Sequence, residues 1–198
     1  MKIAVFGGAF NPVHNGHVNL AEKYIQLLQP DKLLIIPTAN PPHKANNNFV
    51  SENHRLNMLE LAFEENSRAE ISDMEFKMQG KSYTYNTVCE IKRHYNNAEI
   101  YLIIGEDQFL YFNKWYKYQQ LLDNVTLCTA QRNRDKAQKM KQFADNVLQC
   151  KNYILADFEP VVVSSSEVRE KLKNNEKVND LIPQSVLNYI YENGLYGR

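Results

Sequence analysis

Short apolar runs alternate with stretches of helical spacing along the whole chain. Residues 3–6 predict a first buried strand, after which His17, Leu20, Ala21, Tyr24, Leu27 and Leu28 recur at the spacing of one helix face. Residues 33–36 predict a second strand, ended by Pro37, and residues 100–104 a third, ended at Gly105. Residues 125–129 and 153–156 predict two more strands, with a polar helix near 135–147 between them, and 70–76 reads as a further strand. Residues 51–65 predict a helix with Leu56, Leu59 and Ala62/Phe63 on one face, and Ser82 is placed to cap another running to about Tyr95. Residues 38–50, rich in Pro and Asn without periodicity, predict a long loop. Ser164 and Glu167 have capping-box spacing. A last helix is expected to open at Pro183 and stop before Gly194. Strands alternating with helices imply the α/β class, a parallel sheet covered on both faces.

At 198 residues the chain suits one domain, 1–198, with ample length for a core. Lys+Arg and Asp+Glu both number 23, so the net charge is zero, which argues against bulk nucleic acid or an anionic membrane surface as partner. Cys89, Cys128 and Cys150 match neither a zinc pattern nor a disulfide framework, so reduced thiols and a cytoplasmic location are expected. The first residues are too few and too weakly apolar for a signal peptide, and no run is long enough to span a bilayer.

The chemistry concentrates early. Three of the seven glycines fall within Phe6-Gly7-Gly8-Ala9-Phe10-Asn11-Pro12-Val13-His14-Asn15-Gly16-His17, between a strand and a helix. A helix N-terminus beyond a strand's carboxyl end suits phosphate. Gly7 and Gly8 would let a nucleotide approach the backbone, and Gly16 would keep the entrance clear. His14 and His17, three apart, share a helix face and can donate to phosphate oxygens. Neither a Walker loop nor a dinucleotide fingerprint is present. No set of metal ligands accompanies the histidines, so no protein-held metal is expected.

The run resembles the G-G-x-F-x-P-x-H-x-G-H motif of the H-x-G-H nucleotidyltransferase superfamily. Val163-Ser164-Ser165-Ser166-Glu167-Val168-Arg169 resembles that superfamily's second motif, I-S-S-T-x-x-R, with Val163 and Ser166 as substitutions that keep the chemistry. Pro41-Pro42-His43-Lys44 resembles its loop motif P-x-x-K. One branch, the bacterial nicotinate-nucleotide adenylyltransferases, is matched further by Gly80-Lys81-Ser82-Tyr83-Thr84-Tyr85-Asn86-Thr87 and by Ile104-Gly105-Glu106-Asp107 with Trp115-Tyr116. The C-terminal Leu181-Ile182-Pro183 and Gly194-Leu195-Tyr196 match as well.

The resemblance implies a Rossmann-like doubly wound sheet and transfer of adenylyl from ATP to nicotinate mononucleotide, a step of NAD biosynthesis. ATP half-sites would lie near 6–17 and 163–169, and the mononucleotide region at roughly 80–118. It implies catalytic roles for His14, His17, Lys44 and Arg169. Gly7, Gly8, Ala9, Phe10, Gly105, Asp107, Arg132, Ser164, Ser165 and Ser166 would contact ATP. Thr84 and Tyr116 would offer backbone groups to the nicotinate carboxylate, with Trp115 stacked on the pyridine ring. Read by itself, Asp107 is equally a helix cap, Arg132 surface charge, and Trp115 a half-buried surface residue. Mg²⁺ is expected to be held by substrate phosphates and water. The alternatives are another acceptor (nicotinamide mononucleotide, pantetheine phosphate or glycerol phosphate) and a non-catalytic nucleotide-binding regulator.

Overall fold

The computed structural model describes residues 1–41, 49–130 and 134–197. The expected alternation is present. In chain order the strands are β1 (Lys2–Gly8), β2 (Lys32–Pro37), β3 (Ala69–Ile71), β4 (Glu99–Ile103), β5 (Thr126–Ala130) and β6 (Tyr153–Ala156). The helices are α1 (Asn15–Leu28), α2 (Glu52–Phe63), α3 (Met74–Lys77), α4 (Thr84–His94), α5 (Glu106–Leu110), α6 (Tyr118–Leu122), α7 (Arg134–Phe143), α8 (Ser165–Lys173) and α9 (Gln184–Glu192). All strand pairs are parallel, in the order β3-β2-β1-β4-β5-β6. The chain winds outward from β1 to β3, then returns to β1's other side as β4. That reversal is the switch point where doubly wound sheets bind ligands, and it puts the end of β1 at the centre of the molecule.

Side-chain alternation along β1 divides the core. Ala4 and Phe6 point to one face, packed with Tyr24 of α1, Leu59 of α2, Val168 of α8 and Val186 of α9. Ile3 and Val5 point to the other, with Val88 and Ile91 of α4, Phe109 of α5 and Met140 of α7. The strands are therefore apolar throughout rather than alternating, as a sheet covered on both faces requires.

Three local expectations are corrected. The strand that pairs with β2 is Ala69–Ile71, so only residues 70 and 71 of the expected 70–76 strand belong to it; Met74–Lys77 turns into a short helix, which buries Glu75. Ser82 does not cap α4: the N-cap is Tyr83, and Ser82 exchanges hydrogen bonds with Asn40 instead (2.9 and 3.0 Å). The buried stripe of α2 is Arg55, Met58, Leu59 and Phe63, so the helix is rotated to bury an arginine where Leu56 was expected. Ser164 does cap α8, accepting from the Glu167 N–H at 3.1 Å, and α9 follows Pro183 and ends before Gly194, as expected.

Candidate active site

The site grows from the carboxyl end of β1. At Gly8 an added Cβ would lie 2.9 Å from the Phe10 ring, so glycine is required for that ring to fold back under the strand. At Gly7 the nearest atom would be 4.0 Å away, and the backbone there faces open space. Phe10 is itself left-handed (φ 44), with its ring held edge-on by Phe6 and His17 at 5.4 and 4.9 Å.

His14 is the N-cap of α1 and His17 its third residue, and the two form a capping box from imidazoles. The His17 N–H donates to His14 Nδ1 and the His14 N–H to His17 Nδ1, each at 3.3 Å. The rings stack, centroids 3.6 Å apart and 20° from parallel. A backbone N–H can only donate, so both Nδ1 atoms are bare and each neutral ring carries its proton on Nε2. Burial drives the His14 pKa from 6.5 down to about 4. Burial, and then the neighbouring His14, lower His17 well below its usual value. Both rings are neutral donors at physiological pH.

Gly16 does not keep an entrance clear. A Cβ there would lie 2.7 Å from the Val161 carbonyl and 3.1 Å from His14 Nδ1, so glycine lets the segment after β6 pack onto the histidine pair. That packing brings the two ends of the chain together. Ser165 Oγ donates to the Pro12 carbonyl at 2.9 Å, 153 residues away in sequence. Arg169 Nη1 donates to the Asn11 carbonyl at 2.7 Å, and its Nη2 to Ser166 Oγ at 3.2 Å. Asn11, 1% exposed, accepts on Oδ1 from the Tyr196 hydroxyl (2.8 Å) and the Val50 N–H (3.2 Å).

Gly105, Asp107 and the aromatic residues lie past the end of β4. Asp107 is in the first turn of α5, whose N-cap is Gly105, so it is not the cap. A Cβ on Gly105 would meet Asp107 Oδ1 at 2.8 Å, so the exposed carboxylate lies back over the glycine. Thr84 opens α4 between Tyr83 and Tyr85, and both tyrosines contact the Tyr116 ring, at 4.4 and 6.2 Å. The Lys117 ammonium sits over the Tyr85 and Tyr116 rings at 4.6 and 5.3 Å. Trp115 is half-buried and lies against Phe112, centroids 4.9 Å apart. Thr84 and Tyr116, distant in sequence, therefore share one neighbourhood. Lys44 and Arg132 lie outside the described residues.

Sequence reasoning passed over Arg55, Glu75, Asn11 and Tyr196. Asn11 and Tyr196 lie within the matched runs, and Arg55 left a signal of its own: it precedes Leu59 by four residues, on the face that must be buried. Among the described residues no group of three or more His, Cys, Asp or Glu side chains is arranged to hold a metal ion. No helix among them is long and apolar enough to cross a membrane.

A doubly wound sheet with a histidine pair and a serine–arginine helix start at its switch point has the form of a nucleotide-handling α/β protein. The chain belongs to the cytidylyltransferase-like family, whose profile matches residues 5–171. It is 37% identical over 198 residues to a Clostridium tetani protein named "Probable nicotinate-nucleotide adenylyltransferase", covering 98% of each chain. A Borreliella burgdorferi protein of the same name is 36% identical over 196 residues, 99% of this chain and 97% of the relative. Among solved structures, the Plasmodium falciparum nicotinic acid mononucleotide adenylyltransferase complexed with NaAD shares the fold. Its TM-score is 0.80 at 20% identity, with 98% and 97% of the two chains covered.

Proposed function

We propose that the protein transfers the adenylyl group of ATP to the 5′-phosphate of nicotinate mononucleotide, forming nicotinate adenine dinucleotide and pyrophosphate, a step of NAD biosynthesis. The observation that carries this reading is the joining of the histidine pair to Ser165 and Arg169 at the end of β1, in a chain whose full-length relatives bear that activity's name. A phosphate monoester has a second pKa near ~6 and is largely dianionic at neutral pH, so the nucleophile needs no general base. A bond forms between an acceptor phosphate oxygen and the α-phosphorus. The bond from the α-phosphorus to the bridging oxygen breaks, and pyrophosphate leaves with the electron pair.

The neutral imidazoles then serve as donors. Each would place its Nε2–H against phosphate oxygens as charge shifts toward the leaving group. Arg169 and the hydroxyls of Ser164 and Ser166 would supply the opposite wall, Ser165 would fix that helix start through its bond to Pro12, and Lys44, Arg132, Gly7, Gly8, Ala9 and Phe10 would complete the polyphosphate contacts. Asp107 beside Gly105 would accept from a ribose hydroxyl. Thr84 and Tyr116 would meet the nicotinate carboxylate, and the free face of Trp115 would take the pyridine ring. The donor set suits a metal ion that arrives on the substrate: Mg²⁺, held by phosphates and water, would neutralise polyphosphate charge.

The test is pyrophosphate release with ATP and each acceptor in parallel: nicotinate mononucleotide, nicotinamide mononucleotide, pantetheine phosphate and glycerol phosphate. Fastest turnover with nicotinate mononucleotide is expected. Preference for another acceptor would reassign the substrate. Nucleotide binding without release from any acceptor would make the protein a regulator instead.

A further inference from the structure

Among the described residues Arg55 is the largest fully buried side chain, 2% exposed, and the reaction above makes no use of it. Its Nη1 donates to two backbone carbonyls, Ala9 at 3.1 Å and Thr38 at 2.6 Å. Ala9 follows β1 and Thr38 follows β2, so one guanidinium grips the loops leaving two adjacent strands. The group lies over the rings of Phe49 and Phe76, 5.0 Å from each centroid. Of the carboxylates, Glu52 attracts it most and buried Glu75 less, without a direct bond to either; Glu75 Oε1 accepts from the Thr87 hydroxyl of α4 at 2.7 Å.

Burying opposite charges is a poor way to stabilise a core, since apolar side chains of similar volume generally do as well or better. The arrangement makes sense through what it does to the Ala9–Phe10 peptide. A trans peptide directs its carbonyl and its N–H to opposite sides. With the Ala9 carbonyl turned inward to Arg55, the Phe10 N–H is turned outward. It has no hydrogen-bond partner among the described residues. Phe10 also holds a left-handed conformation that an aromatic residue does not adopt freely, and its ring touches His17. A backbone donor without a partner among the described residues is thus fixed on a residue whose ring touches His17, in a conformation that needs to be imposed.

We propose that Arg55 is a positioning residue for the transfer reaction. From beneath, it orients the Ala9–Phe10 peptide so that the Phe10 N–H donates to a polyphosphate oxygen beside His17. Through Thr38 it ties that peptide to the loop after β2, so the ends of two adjacent strands are registered against one buried group. This rests on the adenylyl-transfer reading.

Two variants test it. Arg55→Lys keeps a cation but loses the planar guanidinium that packs against two rings while its Nη1 meets both carbonyls. Arg55→Met combined with Glu75→Gln removes both charges together, and its unfolding midpoint is expected to stay near the wild-type value. Kinetics are normalised to folded protein. Both variants are expected to lose at least about tenfold in kcat, with KM for ATP and acceptor changed by less than about threefold. A kcat per folded molecule equal to wild type in either would overturn the proposal, whatever happens to stability. An independent readout is the Phe10 amide resonance on adding ATP. It is expected to move in the wild type and stay in place in Arg55→Lys; equal shifts in both would also overturn the proposal. That readout requires ATP binding but no turnover, so a wrong acceptor assignment would appear separately, in the pyrophosphate assay.

Discussion

The phosphate end of the site and its aromatic end are held by different forces. Around His14, His17 and Arg169, position is set by hydrogen bonds to backbone: the imidazole capping box, Ser165 on Pro12, Arg169 on Asn11. Around Tyr83, Tyr85, Trp115 and Tyr116, position is set by rings against rings and by an ammonium over two of them. Directional bonds suit charge that must be met at a defined point in a transition state. Ring contacts suit a flat heterocycle that has only to be held. Changes at the first end should therefore fall mainly on kcat, and changes at the second on the acceptor's KM.

The largest effect is expected at His17. His17→Ala removes a donor and one half of the capping box, and should lower kcat by about 10²–10³ or more while folding normally. Steady-state pyrophosphate release checks this, and near-wild-type turnover in the folded variant would remove the histidines from the mechanism.

Gly16→Ala tests whether the two chain ends must meet. Its Cβ would stand 2.7 Å from the Val161 carbonyl, a backbone atom with little freedom to retreat. The expected cost is about 1–3 kcal/mol of stability, seen by thermal melting. A fall in kcat of about tenfold or more should accompany it as the imidazole pair is displaced.

Trp115→Ala probes the other end. Loss of a stacking face worth about 0.5–1.5 kcal/mol should raise the acceptor KM by roughly twofold to tenfold and leave the ATP KM unchanged. If kcat fell and the acceptor KM held, the division between the two ends would be wrong.

The gentlest probe is pH. The His14 pKa is lowered from 6.5 to about 4, so the unfolded chain binds protons that the folded one does not. The stabilisation is fully present above the unfolded value, and is lost progressively as pH falls from 6.5 toward about 4. The slope is at most about 1.4 kcal/mol per pH unit for this group. Melting temperatures measured from about pH 7.5 down to about pH 5.5 should show this decline. His14→Asn, which keeps an N-cap acceptor, should make it shallower, and buried His17, also lowered well below its usual value, should supply the decline that remains.

The strands and the two motifs were legible because their signals are local. Apolar runs bounded by proline or glycine mark strands whatever surrounds them, and the glycine–histidine run is unbroken in the chain. Even so, the role of Gly16 was misread: the Val161 carbonyl that fills the space beside it is 145 positions away. The rotation of α2 was missed for the same kind of reason. Arg55 belongs on a buried face only because the carbonyls of Ala9 and Thr38 wait there to receive it. Ser82 has good capping chemistry, but Asn40 competes for it.

The sequence by itself determined the α/β alternation, the strands, and the segments that carry the chemistry. Each of these depends on residue type and spacing within a single element. Tertiary structure decided the charge state and tautomer of His14 and His17, which depend on burial and on which atoms face each ring. It also decided the meeting of Arg169 with Asn11, the placement of Thr84 beside Tyr116, and the burial of Arg55. These are contacts between elements far apart in the chain, and their partners are assigned only when the sheet brings the strand ends to one edge.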